Sequence, residues 1–362
     1  MSIHDQRGGF ERMGGDMCPH GNFKGSPCAA CQQESQKKQP ALQTIEQLMS
    51  KSKFKRLNPE SATTQIEIEG KKFQIESIED RESPALAEVQ KLLIDTFGEE
   101  EVDPEEILRS AVAGETAWGT TDETKYKVYL IRNEQGEAVT AFAGDHLDLH
   151  GADNRPTGET MFMVAYAVTA QNARQGGLAR EAYISAVMDA ALEAQQNGKQ
   201  LKFAAGECTF TSEKFWNSVG WKRAYAQSGD KKTYEELRYI QPALDFDEKT
   251  GEPAEDAGAV AEHFMVDSFG AETPDKNQIM QTIDAFYRWC NKWPRAAFES
   301  DEAFQKQNAY VAQIEEEFKN QLESSGQLIF LDAANREKAR AAGVNITEHS
   351  AADQGHAGKE DF

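Results

Sequence analysis

Residues 160–180 read TMFMVAYAVTAQNARQGGLAR. Residues 161–168 within them are apolar and partly β-branched or aromatic, the composition of a strand buried on both faces, and a helix is expected to begin near Leu178. Arg174, Gln175, Gly176, Gly177, Leu178 and Ala179 make the turn between the two. Adjacent glycines let successive N–H groups point into one small concavity, and the helix start adds unsatisfied donors and a positive dipole end. Such a nest suits a phosphate or pyrophosphate. Each charge-assisted hydrogen bond there contributes roughly 1.5–3 kcal/mol, and the dipole about 0.3–1 kcal/mol more. Taken alone, the same glycines also fit a plain structural turn from strand to helix.

Working outward, the helix is alanine-rich and stops at Asn197 and Gly198, and QLKFAA at 200–205 reads as the next strand. Upstream, 126–132 and 138–149 form an apolar strand pair around NEQGE, and 65–79 alternates apolar and polar residues about Gly70. Between these lie two helices. Ser83 and Pro84 open the one at 84–97, and Asp103 and Pro104 open the one at 104–113. Downstream, EKFWNSVGW at 213–221 continues the pattern, and TYEELRYI at 233–240 reads as the last strand of the sheet. The expected order is strand, two helices, three strands, helix, strand, helix, strand. That is a layered α/β (α+β) domain, and without a GxGxxG turn it is not a doubly wound dinucleotide fold.

The pattern Arg174xxGly177xAla179 between strand and helix resembles the pyrophosphate turn of the GNAT acetyltransferase superfamily, and FWNSVGW resembles that family's FYEKLGF segment. The resemblance covers roughly residues 66–240. It implies a mixed, largely antiparallel central sheet flanked by helices, acetyl-CoA as cosubstrate, and direct attack by an amine without an acyl-enzyme. It also implies that pantetheine lies between the strands at 160–168 and 200–205. Backbone N–H groups near Ala167 and Val168 would then polarise the thioester, while Arg174, Gln175, Gly176, Gly177, Leu178 and Ala179 would hold the pyrophosphate. The family's frequent strand glutamate is missing from VAYAV, which leaves Glu159, Glu207, Asp145, His146 and His150 as candidate bases, with Tyr166 acting through water. Trp216 falls where the family commonly has a tyrosine that protonates the thiolate. Tyr225 is close enough in sequence to substitute, and about Thr209 replaces the usual asparagine. For any one of these residues an ordinary surface or capping role is the alternative. Cys208 is read as a packing residue rather than a nucleophile, since no histidine is near it in sequence.

Among 362 residues, 61 are acidic and 39 are Lys or Arg, a formal charge of −22. Such a field disfavours nucleic acid and anionic membrane and favours a cationic substrate, although acidity also serves solubility. No stretch reads as a membrane span and the N-terminus carries no apolar signal region, so a cytoplasmic protein is expected. Cys18, His20, Cys28 and Cys31 are spaced for a small structural zinc knuckle, with a CxxC redox pair or plain reduced cysteines as alternatives.

The chain therefore divides into a disordered start (1–17), the knuckle (18–31), a linker (32–64), the acetyltransferase-like domain (65–240), an acidic loop and linker (241–274), a helical extension (275–325) and a mostly disordered tail (326–362). The basic run KSKFKR at 51–56 is read as solvated linker rather than an RNA contact. The apolar residues at helical spacing in the extension, among them Ile279, Ile283, Phe286, Phe318 and Leu322, are read as core or docking residues, with a partner interface through them or through the knuckle as the second choice. Two functions stand open: an N-acetyltransferase acting on an amine of a small molecule or protein, or a catalytically degenerate acetyl-CoA-binding domain serving as a sensor or interaction module.

Overall fold

A computed structural model describes residues 55–56 and 63–348, apart from 175, 210 and 256. The zinc-ligand candidates Cys18, His20, Cys28 and Cys31 lie outside the described residues, and among those described no group of His, Cys, Asp and Glu could hold a metal ion. No helix among them is long and apolar enough to cross a membrane.

The described residues open with β1 (Lys55–Arg56), β2 (Thr63–Ile68) and β3 (Lys71–Ile78), the last two joined at Glu69 and Gly70, both at positive φ. Helices α1 (Ala85–Phe97) and α2 (Glu105–Val112) follow, then a small hairpin of β4 (Glu115–Thr116) and β5 (Gly119–Thr120). The central strands are β6 (Thr124–Arg132), β7 (Ala138–His150) and β8 (Pro156–Thr169). Helix α3 (Leu178–Gln196), β9 (Gln200–Cys208), α4 (Glu213–Val219) and β10 (Lys222–Gln227) complete the expected order of elements. Beyond them come β11 (Thr233–Glu236), β12 (Arg238–Gln241), β13 (Val260–Asp267), α5 (Lys276–Ala285), α6 (Asp301–Ser324), β14 (Gln327–Leu331), α7 (Ala333–Ala341) and β15 (Asn345–Thr347). A π-helical turn, Phe286–Cys290, extends α5.

Except for β4 and β5 the described strands join one sheet, whose main path runs β1-β2-β3-β6-β7-β8-β9-β13-β10-β11-β15. Only β8 with β9 and β11 with β15 pair in parallel among the described strands, so the sheet is mixed and largely antiparallel. Helix α3 covers one face. Its Ala182, Ala186, Ala190 and Ala194 are fully buried, and these small side chains let the helix lie close to the strands.

The opposite face is shared by two helical groups. Under α1, Ala141, Ala143 and Val168 pack on Leu86, Val89 and Leu93. Further along the same strands, Leu147, Leu149, Met161 and Met163 pack on Ile279, Ile283 and Phe286. Odd-numbered residues of β7 share this face, so Asp145 falls in the gap between the two groups.

Three sequence expectations change here. The expected acidic loop at 241–274 contains β13, which inserts between β9 and β10, so 233–240 is not the last strand but splits into β11 and β12. The reason is that VAEHFMVD carries a Glu and a His whose surroundings are supplied by distant residues: His263 Nδ1 lies 2.5 Å from Glu236 Oε1 in the interior. Within the expected disordered tail at 326–362, residues 327–347 form β14, α7 and β15, which pair with β10 and β11. Finally, the helices at 275–325 are not an appendage, because Ile279, Ile283, Phe286, Val311, Phe318 and Leu322 complete the core of one sheet face.

Candidate active site

Strands β8 and β9 pair only from Glu159↔Gln200 to Met163↔Ala205. Beyond that point β8 stays with β7 as far as Thr140↔Thr169, while β9 stays with β13 as far as His263↔Cys208. The two strands therefore part into a wedge with a free backbone edge on each side. A bulge supports the divergence: Gly144 opposes Val164 but Ala143 opposes Tyr166, leaving Ala165 as the extra residue. Gly144 must lack a side chain here, since a Cβ would stand 2.3 Å from the Met163 carbonyl oxygen. The bulge also places Met163 and Tyr166 on one face, where simple alternation would separate them.

The wedge opens at the start of α3. Gly177 occupies the N-cap with φ 78°, a left-handed conformation that glycine adopts without strain. Arg174 Nε donates to the Thr169 carbonyl at 3.1 Å, tying the turn to the end of β8. Arg174, Gly177, Leu178, Ala179 and Arg180 all line one cavity of about 780 Å³ that continues through the wedge.

At its inner end the cavity reaches the gap between the two helical groups and becomes an acidic chamber. Asp103, Asp145, Glu207 and Glu262 line it, with Tyr126, Tyr166, Trp289 and Trp293 as aromatic walls. Register places Asp145, Glu207 and Glu262 on the same sheet face, projecting from β7, β9 and β13. The Tyr166 hydroxyl donates to Asp103 Oδ2 at 3.0 Å and accepts from the Asp103 N–H at 3.1 Å. Thr124 Oγ1 donates to Asp145 Oδ1 at 2.6 Å, and the Cys290 thiol lies 3.7 Å from Asp145 Oδ2. Glu207 Oε2 is shielded from solvent and has no hydrogen-bond partner.

Burial is the main cause that raises all four carboxyl groups: Asp103 and Asp145 to about 6, Glu262 to about 7 and Glu207 to about 8. Neighbouring charge adds to this, from Glu262 on Glu207 and from Glu101 on Glu262. At neutral pH, then, Asp103 and Asp145 are largely ionised, whereas Glu207 is poised to exchange a proton.

Of the residues singled out in the sequence, Tyr166, Ala167, Val168, Arg174, Gly177, Leu178, Ala179, Glu207 and Trp216 line this cavity together. Gly176 flanks the turn, and Gln175 lies outside the described residues. Two catalytic expectations are corrected. Glu159 sits at the other end of β8, about 33 Å of extended strand from Thr169, where it pairs with Lys202 at 3.4 Å and accepts from Gln278 at 3.0 Å. Tyr225 instead donates from its hydroxyl to Glu348 Oε1 at 2.9 Å, beside Arg223 on β10, and does not line the cavity.

His146 bonds Thr160 at 2.9 Å and His150 meets Arg288 at 3.0 Å, and neither lines the cavity. Trp216 touches the cavity but packs its indole on Tyr183 and Trp221 in the core. The Cys208 thiol is pushed well up by burial, consistent with packing rather than attack. Sequence reasoning missed Asp103, Glu262, Trp289 and Trp293. Asp103 was a helix-start signal beside Pro104, yet it makes no cap to α2 and binds Tyr166 instead. For Glu262 no local signal existed.

No family profile and no curated protein matches this sequence. Solved structures of similar shape include a GNAT-family acetyltransferase of Staphylococcus aureus Mu50, 11% identical over 54% of this chain and 99% of its own, with a TM-score of 0.31. The ribosomal-protein-S18-alanine N-acetyltransferase of Escherichia coli is 12% identical over 56% of this chain and 96% of its own, with a TM-score of 0.32. An IAA acetyltransferase of Bacillus cereus is 9% identical over 54% and 98%, at 0.29. At such scores the fold rests on this chain's own strand order, wedge and nest.

Proposed function

We propose that this chain is an N-acetyltransferase that uses acetyl-CoA. One observation carries the reading: the glycine nest, the wedge between β8 and β9, and the acidic chamber form a single continuous cavity. Pyrophosphate on the nest and pantetheine in the wedge would deliver the thioester to the chamber, where an amine waits among carboxylates. In the wedge the free backbone edge near Ala167 and Val168 offers N–H donors to the developing oxyanion. The amine nitrogen bonds to the acetyl carbon, the carbon–sulfur bond breaks, CoA leaves as thiolate, and the ammonium proton passes to Glu207. A half-buried carboxyl with one oxygen shielded from solvent, raised to about 8, suits a base working near neutral pH.

The second reading, an acetyl-CoA-binding module without turnover, is favoured by the engagement of Tyr225 with Glu348, which removes the sequence candidate for the acid, while the indole of Trp216 at the family position cannot serve as one. Calorimetry with acetyl-CoA tests the shared part. Micromolar binding is expected for the native chain and none for Gly177→Asp, which brings a side chain and a negative charge into the nest. Thiol release in the presence of amines then separates enzyme from module. If the native chain does not bind acetyl-CoA, both readings fall.

A further inference from the structure

The chamber holds more negative charge than one ammonium group can match. Among the described residues, no Lys, Arg or His stands within ion-pair distance of Asp103, Asp145, Glu207 or Glu262. Asp103 is instead met by the Tyr166 phenol and the Trp293 indole, and Asp145 by the Thr124 hydroxyl, the Cys290 thiol and the Lys125 N–H. Lys292, the one lysine of the lining among the described residues, faces Glu315 at 3.9 Å and the Trp118 ring. Glu207 Oε2, inaccessible to solvent and unbonded, marks a place where a donor is missing. Tyr126, Tyr166, Trp289 and Trp293 add aromatic walls, a surface that organic cations favour, and Arg288 already stacks on the Trp289 ring at 5.7 Å. The cation acting on Asp145, Lys127, is ion-paired to Glu193 at 2.8 Å.

The carboxyl groups also fall into two sets. Glu207 and Glu262 lie on β9 and β13, with Glu207 two residues past the last β8–β9 pair, where the thioester would arrive. Asp103 and Asp145 lie on the other side of β8, on the loop before α2 and on β7, joined to the Tyr166 hydroxyl and Thr124.

We infer that the acceptor is a short diamine or polyamine. One amine is acetylated beside Glu207, and a second, still protonated nitrogen is held by Asp103 and Asp145 against the aromatic walls. This rests on the acetyltransferase reading. Specificity then comes from the distance between two charges, because a monoamine of equal length leaves the second carboxylate set buried and unmatched.

The test compares thiol release from acetyl-CoA with 1-aminobutane, 1,4-diaminobutane, spermidine and a short peptide with a free α-amine as acceptors. We expect kcat/KM for the diamine to exceed that for the monoamine by at least about tenfold. Asp145→Asn, which keeps the shape and the Thr124 hydrogen bond, should shrink that ratio mainly through KM for the diamine. Asp103→Asn should act in the same direction. Acetyl-CoA affinity and melting temperature of each variant separate a lost charge from a lost fold. Should the monoamine or the peptide match the diamine in the native enzyme, or should the ratio survive both substitutions in folded protein, the inference is wrong although the acetyltransferase reading stands. If no amine releases thiol while acetyl-CoA binds, the transferase reading fails and this inference with it.

Discussion

On the proposed reading, Glu207 is the residue on which the chemistry turns. It sits at the end of β9 beside the wedge, with one carboxylate oxygen buried and unbonded and its carboxyl raised to about 8. As base it must be ionised, so kcat/KM should climb with pH as Glu207 loses its proton and level off above about 8. In Glu207→Gln that limb should vanish and the plateau fall by about 10²–10⁴, the usual contribution of a positioned base. A pH–rate profile of both proteins decides it, and an unchanged limb in the variant would pass the role to another group. Glu207 was legible in the sequence only as one carboxylate near a strand end. Its neighbour in the chamber, Glu262, was not legible at all, because what places it there is the pairing of β13 with β9, made across more than fifty residues of chain.

Among the elements, the bulged strand β8 decides the site. Alternation along VAYAV assigns successive side chains to opposite faces, yet the extra residue at Ala165 resets the phase, so Tyr166 joins Met163 and Asp145 on the chamber face. The device depends on Gly144, which gives the bulged strand room to approach. Gly144→Ala should therefore lower stability by about 1–3 kcal/mol, as overpacking does, and also weaken acetyl-CoA binding by distorting the wedge. Thermal melts and calorimetry measure the two effects. A variant as stable and as tight as the native chain would show that β7 and β8 can yield there. Helix α3 was easier to read, since its glycine turn, its alanines and its Asn197–Gly198 stop are local features.

For the molecule as a whole, the four chamber carboxyls link function to stability. Each has a folded pKa above its unfolded value, so the folded state binds more protons than the unfolded state between about pH 4 and 8. The contribution of these four groups is therefore most favourable below the unfolded values near 4 and declines as pH rises through 6, 7 and 8, whereas Glu88, Glu193 and Glu213, held low by Arg and Lys partners, lose stabilisation only at acid pH. The melting temperature should be lower at pH 8.5 than at pH 5.5, and Glu262→Gln should narrow the gap by removing one half-buried charge. Equal gaps in the two proteins would mean that Glu262 stays solvated. A dicationic ligand should likewise raise the melting temperature most at the higher pH, where the chamber is most charged.

What the sequence determined by itself was the part of the fold held by neighbours along the chain. The β8 strand, its glycine turn and α3 follow from apolar runs, backbone freedom at Gly177 and the unsatisfied donors of a helix start, and these need no distant partner. The class of fold followed from the order of such elements. Tertiary structure alone decided where the carboxyl groups meet. Asp103, Asp145, Glu207 and Glu262 come from a loop and three strands, and only the gap between the α1 group and the α5–α6 group leaves room for them in the interior. It also decided that residues 260–267 and 327–347 belong to the sheet, because a strand with charged residues is stable only when distant pairing partners satisfy its backbone and its polar side chains.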